Sequence, residues 1–336
     1  MADHARWLAG LPPTPIPVIH ADAAGRARER ERFRATAWSL LGDFPPHLAA
    51  PCTTWGGDES RDGLIHQRFT FDDGCGWSVP GVLWRPDGPG PFPAVLWCHW
   101  HGGDYRLGTE AIDRACYTPE APGPALARRG YVVLGIDAPG FGQRNGCGPD
   151  GTDGGIGEAS IVKHGLLTGR TMWGLTLHDD LLALAVLASR PEVDAARIGV
   201  AGISMGCLRS LWLAALDERV RATIAICCLT RNQDLIAAGG LQYHSHYYYV
   251  PGMLRHFDIE SVMTAIAPRA LLALNGELDP LTPLMGIRMA EHLARPAWSA
   301  DGVDDRLRVD IETGVGHAWT PAMWRESMAF LDQHLA

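Results

Sequence analysis

No part of this 336-residue sequence is apolar for long enough to span a bilayer: the longest candidate, Leu181 to Ala188, falls far short of the ~20 residues a crossing helix needs. Met1 to Val18 has no uninterrupted apolar segment and several prolines, so it matches neither a secretory signal nor a membrane anchor. No Cys-x-x-Cys pair occurs among the eight cysteines, at 52, 75, 98, 116, 147, 207, 227 and 228. Several of them sit in apolar stretches where a free thiol packs well, which points to a reducing, cytoplasmic compartment and no zinc knuckle. Positive charge is in deficit, with 29 Lys plus Arg against 38 Asp plus Glu, and a net charge of -9 repels phosphate backbones. Neither nucleic acid nor a membrane is an expected partner. Internal repeats and low-complexity tracts are also missing.

What is there is 46% hydrophobic and 20% charged, the composition of a globular chain with a large core. Residues 1–60 read as an N-terminal helical extension: prolines flank a charged stretch from Ala23 to Leu41 in which Phe33, Ala37 and Leu41 recur at four-residue spacing. The plain reading is an arm packed on the core; a homo-oligomer contact or part of a cap over a pocket is the alternative. Residues 61–336 read as one α/β domain. Gln67–Phe71 and Val79–Trp84 flank a turn-rich segment and suggest a hairpin at a sheet edge. Strand-like runs follow at Ala94–Cys98, Tyr131–Ile136, Ile198–Ile203, Ala222–Cys227, Ala270–Asn275 and Leu307–Ile311, interleaved with helical patterns at Pro124–Arg129, Leu175–Ser189, Cys207–Leu216, Leu284–Ala294 and Pro321–His334. Near-continuous apolar strands alternating with helices predict a mostly parallel central sheet covered on both faces. Two stretches fit neither period, glycine-crowded Gly140–Thr171 and Leu229–Asp258; they read as loop insertions near 140–174 and 229–262.

The chemistry concentrates after the strand ending at Ile203. Gly202-Ile203-Ser204-Met205-Gly206 is Gly-x-Ser-x-Gly between a strand and a helix. A turn that sharp needs glycines on both sides of the serine, and it exposes the hydroxyl while leaving the next N–H at a helix start. Ser204 is therefore the candidate nucleophile and the Met205 N–H a candidate oxyanion donor. A serine needs a histidine base and a carboxylate to orient it. Asp279, after the strand Ala270–Asn275, and His317, between the next strand and the last helix, follow in the order Ser, Asp, His. Glu277 and Asp137 compete for the acid's role, but Asp137 precedes the serine and sits in a turn-like Pro139-Gly140-Phe141-Gly142 context. Glu277 reads as a loop support. The second oxyanion donor is placed in His99-Trp100-His101-Gly102-Gly103, with the His101 N–H preferred and Trp100 as its neighbouring alternative. His99 and His101 could also suggest a metal pair, but no further ligand stands at metal-site spacing, so neither metal nor cofactor is expected.

These residues resemble the α/β-hydrolase superfamily, and more narrowly its dienelactone hydrolase and acetyl xylan esterase-like branch, from about Ile65 to the C-terminus. The resemblance rests on the His99–Gly103 strand end, Gly140-Phe141-Gly142, Arg170–Gly174 ahead of Asp179-Asp180, Ser189–Asp194 before the elbow strand, and Ile266–Arg269 leading to Asn275–Asp279. It implies an α/β-hydrolase fold and a Ser204, Asp279, His317 triad. Trp100 departs from the pattern where glycine is common, and Cys207 where a third small glycine is frequent. The expected activity is serine-dependent hydrolysis of a small-molecule carboxylic ester with a small acyl group, on an acetyl, sugar or aryl ester. Trp100, Tyr243, His244, His246, Tyr247, Tyr248 and Trp319 are candidate lining residues; a loop with its own aromatic core is the other reading. A peptidase or amidase using the same triad, or a non-catalytic binding protein, remain alternatives.

Overall fold

Strands buried on both faces can sit only in the middle of a covered sheet, and the burial pattern sorts the strands of this chain accordingly. A computed structural model describes residues 13–45 and 50–335; the first part of the proline-rich arm lies outside the described residues. The ten strands are β1 (Thr53–Trp55), β2 (Glu59–Arg61), β3 (Leu64–Asp72), β4 (Ser78–Pro86), β5 (Phe92–Cys98), β6 (Val132–Ile136), β7 (Val193–Ile203), β8 (Val220–Ile226), β9 (Ala270–Gly276) and β10 (Leu307–Glu312). They form one sheet in the order β1-β3-β4-β6-β5-β7-β8-β9-β10, with β2 paired to β3. From β6 to β10 every neighbour runs parallel, and β6 and β9 are buried along their whole lengths. The outer half of β3 instead alternates, with Phe69 and Phe71 buried and Arg68, Thr70 and Asp72 exposed, as suits an antiparallel edge with one wet face. The predicted hairpin is thus β3–β4, with β1 and β2 added outside it.

The helices are α1 (Ala23–Leu41), α2 (Glu110–Asp113), α3 (Pro122–Arg128), α4 (Gly154–Thr168), α5 (Met172–Ala188), α6 (Met205–Leu216), α7 (Asn232–Ala237), α8 (Ile259–Ile266), α9 (Leu284–Ala294), α10 (Pro296–Ser299) and α11 (Pro321–Leu335). Alternate residues of β5 send Leu96 into one apolar layer with α5, α6 and α8, and Val95 and Trp97 into the other with α3 and α11. On α1 the buried apolar positions include Phe33, Ala37 and Leu41, and Phe33 packs edge-on against Phe257 with centroids 4.9 Å apart. Asp22 caps this helix by accepting from the Gly25 N–H. The stretch Gly140–Thr171 contains helix α4, which its glycine content had hidden. A side chain at Gly157 or Gly165 would run into the carbonyls of Thr152 or Arg170, so these glycines serve close packing. Among the described residues no helix is long and apolar enough to cross a membrane.

Two ion pairs with almost no solvent contact tie α5 to the strand ends. Asp180 receives Arg209 of α6 through two bonds of 2.9 and 2.6 Å, and Asp179 receives Arg144 at 2.6 Å. Removing one member strands a buried charge. Arg209→Met is expected to cost about 3–5 kcal/mol in urea unfolding, with a large part recovered in the Asp180→Leu/Arg209→Met double variant.

Candidate active site

The elbow follows from sterics at the tip of β7. Cβ atoms added at Gly202 and Gly206 would lie 2.5 and 2.1 Å from the carbonyl oxygen of Cys98 on the neighbouring strand, so neither position admits a side chain. The chain must reverse between them, and Ser204 takes φ 61° and ψ -117°, a conformation costing about 1–3 kcal/mol for a residue with a Cβ. Its N–H donates to the Ile226 carbonyl at 2.9 Å, which anchors the turn to β8. Ser204 Oγ faces Cys228 Sγ at 3.8 Å, and α6 begins at Met205, whose N–H belongs to the first turn and has no partner four residues back along the helix.

Asp279 and His317 meet across the ends of β9 and β10. His317 Nδ1 lies 2.7 Å from Asp279 Oδ2, while Asp279 also accepts from the Leu281 N–H and the Thr282 hydroxyl, each at 2.9 Å. Burial works against the ionised carboxyl, but the His317 bond and these further donors outweigh it and hold Asp279 below its usual range. Gly276 lets the loops approach, since a Cβ there would sit 2.1 Å from the Gly316 carbonyl. Glu277 supports the His317 loop by accepting from the Gly314 N–H at 2.9 Å, and Asp137 is occupied by the N–H groups of Thr109 and Gln143 at 2.5 and 2.9 Å. Thr282 also receives the Cys228 N–H at 3.0 Å, so one threonine links the acid's loop to the turn beside Ser204.

The loop after β5 is fixed by its histidines. His99 Nδ1–H donates to the Trp100 carbonyl at 2.8 Å and Nε2 accepts from the Ala138 N–H at 3.1 Å, which leaves no ring nitrogen for a metal. Burial, reinforced by the Arg209 charge, pushes the His99 pKa well below 6.5. The His101 ring accepts from the Gly103 N–H at 3.0 Å through Nδ1, so its Nε2–H donates to Glu158 Oε2 at 3.2 Å. Glu158, on α4, is 1% exposed and also receives Tyr105 Oη at 2.9 Å, Ser245 Oγ at 2.5 Å and the His246 N–H at 2.9 Å. Burial opposes its charge, but these donors hold its pKa below the ordinary value.

Of the candidate lining residues, His244 lies within electrostatic reach of Asp279 and His317, its Nε2 bonded to the Leu281 carbonyl at 2.9 Å. Tyr247 is buried and stacks on His101 with centroids 5.5 Å apart. Trp100 stacks on Tyr117 at 3.9 Å, while Tyr243 and His246 are exposed. Trp319 is a correction: only 3% exposed, it stacks on Trp97 at 5.2 Å inside the α3–α11 layer and belongs to the core. Sequence reasoning missed Glu158, Cys228 and Thr282. Only Glu158 carried a signal, as the one acid in a helix whose other buried residues are Gly157, Ser160, Ile161 and Gly165.

Cys227, Asp279 and His317 bring ligand atoms within 4.8 Å of one another. The donor set suits a cation poorly, because His317 and Asp279 already bind each other and burial pushes the Cys227 thiol upward, keeping it protonated.

No known family model matches the chain. It is 35% identical over 310 residues, spanning 91% of this chain and 100% of the relative, to the Bacillus subtilis (strain 168) protein named "Putative hydrolase YtaP". Among solved structures it resembles a glucuronoyl esterase from Solibacter usitatus, with TM-score 0.70, 16% identity and 96% and 99% of the two chains covered. It also resembles a Bacteroides fragilis NCTC 9343 protein described as a "putative acetyl xylan esterase", with TM-score 0.69, 19% identity and 93% and 81% covered.

Because the folded pKa of His99 lies below the unfolded value of 6.5, the unfolded chain takes up this proton first. The contribution is complete above that pH and declines below it, by up to about 1.4 kcal/mol per pH unit. Unfolding free energies measured from pH 7 down to 5 should therefore fall less steeply in His99→Asn than in the parent, whatever the variant's absolute stability.

Proposed function

This chain belongs to the α/β-hydrolase superfamily, and from that premise we propose that it is a serine esterase acting on small acyl esters through Ser204, His317 and Asp279. One observation carries the reading: Ser204 holds a positive-φ conformation at the end of the sheet where Asp279 and His317 are hydrogen-bonded at 2.7 Å. Strain at a serine brings no structural return, whereas a hydroxyl lifted clear of its own strand is what acyl transfer needs. The esterases among the fold's solved relatives support the same direction.

In this mechanism Ser204 Oγ bonds to the ester carbonyl carbon while its proton moves to His317 Nε2. The Met205 and His101 N–H groups hold the oxyanion, and Asp279 keeps the imidazole proton on Nδ1 and offsets the charge the ring gains. The carbon–oxygen bond to the alcohol then breaks, and the alcohol leaves with the proton from His317. Water, deprotonated by the same ring, adds to the acyl-serine and releases the acid. Anchoring the His101 ring through Glu158 fixes the backbone that carries its N–H. An acetyl, sugar or aryl ester is the proposed substrate class, and the chemistry uses no cofactor.

A fluorophosphonate probe should label Ser204, as located by peptide mapping, and Ser204→Ala should lower p-nitrophenyl acetate turnover by about 10⁴-fold or more. Label absent from Ser204 in folded protein, or turnover surviving the substitution, would reject the assignment.

A further inference from the structure

Behind Cys228, which touches Ser204, lies a small space of about 20 Å³, walled also by His244, Leu208, Val262, Tyr248 and Met253. Cys228 links it to the reacting hydroxyl, its Sγ 3.8 Å from Ser204 Oγ, and Leu208 stands one turn along α6 from the same serine. Its inner wall cannot yield. Leu208 is 6% exposed and Val262 is fully buried, both packed into the α5–α6–α8 layer. Its outer wall is different, because Tyr248 and Met253 are half-buried and also line a second cavity of about 660 Å³. With Asn232, which lines both spaces as well, these side chains form a partition between the small space behind Cys228 and a much larger one. The partition is held in place: the Tyr248 ring stacks on Tyr249 with centroids 4.4 Å apart and meets His244 edge-on at 5.4 Å.

We propose that the inner space is the acyl pocket of the Ser204 esterase, on which reading this inference rests, and that Tyr248 and Met253 set the limit on acyl length. A volume that admits one water-sized group, about 10–15 Å³, takes the methyl of an acetyl group. A butyryl or hexanoyl chain must run into the partition, since the inner wall is core. One methylene too many in an apolar pocket costs about 10- to 200-fold in kcat/KM. Truncating the partition joins the two cavities and gives a longer chain an apolar path outward.

The test is kcat/KM for p-nitrophenyl acetate, butyrate and hexanoate with the parent protein, Met253→Ala and Tyr248→Ala, each titrated by fluorophosphonate labelling of Ser204. The readout is the ratio of hexanoate to acetate, which does not depend on the folded fraction. The parent is expected to prefer acetate by more than about tenfold, and either variant to raise the ratio by at least about tenfold. Two substitutions at half-buried positions guard against one failing to fold. A parent that hydrolyses hexanoate as fast as acetate, or labelled variants that keep the parent's ratio, would overturn the pocket assignment and leave the esterase reading standing. A folded parent that hydrolyses none of the three esters would remove the esterase reading, and the pocket with it.

Discussion

The carbonyl oxygen of Cys98 is the point on which the site turns. It lies so close to the end of β7 that no Cβ fits at Gly202 or Gly206, and the backbone reverses between them. The positive φ of Ser204, the launch of α6 from the same turn and the position of Arg209 within it follow in sequence. Arg209 then reaches Asp180 on α5, and its third nitrogen lies 3.4 Å from the His99 carbonyl. The strand that forces the turn is thus braced by the helix the turn begins. His99 closes the circuit by accepting from the Ala138 N–H, which pins the loop after β5 to the loop after β6.

Much of this was legible because short motifs report local sterics. Gly-x-Ser-x-Gly reads directly as two excluded side chains around a strained residue, and every parallel strand and the helices α1, α3, α5, α6, α9 and α11 appear in the sequence pattern within a few residues of where they lie. Asp279 and His317 were readable from their place after successive strands. Helix α4 was not, because glycine in a sequence reads as a breaker, whereas Gly157 and Gly165 are there to let backbone carbonyls approach. Trp319 was misplaced for another reason. Standing next but one to His317 says nothing about which face of the sheet receives its ring, and the turn into α11 carries it to the layer of Trp97 and Trp324. Contacts such as Cys228 with Ser204 join residues far apart in sequence and leave no local pattern to read.

Glu158 shows how the two insertions become part of the site. Its carboxylate gathers the His101 ring, the Tyr105 hydroxyl, the Ser245 hydroxyl and the His246 N–H, which come from the loop after β5 and from the 229–262 insertion, while Glu158 itself comes from the 140–174 insertion. A buried carboxylate is costly unless its lone pairs are met, and here the donors come from separate segments, so the charge is satisfied only when all of them dock together. An apolar side chain in its place would tolerate many arrangements of these loops. The anion specifies one, and thereby fixes the aromatic wall of Tyr247 against His101.

Strain in the backbone has the same address. Among the described residues the non-glycine positions with positive φ are Asp62, Ser204, Cys227 and Cys228, and all but the first lie at this one sheet end. Each of those has its N–H tied down: Ser204 to Ile226, Cys227 to Leu274, and Cys228 to the Thr282 hydroxyl. Conformations that cost about 1–3 kcal/mol apiece persist only where the surroundings over-determine them. The parallel strands supply that rigidity, so on the proposed reading the reacting groups sit at the sheet end while the walls that would meet a substrate are drawn from the insertions. A residue such as Cys228, held in a left-handed turn with its thiol against the nucleophile, has no freedom to adapt to an acyl chain. Tyr248 and Met253 are half-buried in the 229–262 insertion, so on the proposed reading they are where a sequence can change what the site accepts without disturbing the turn that presents Ser204.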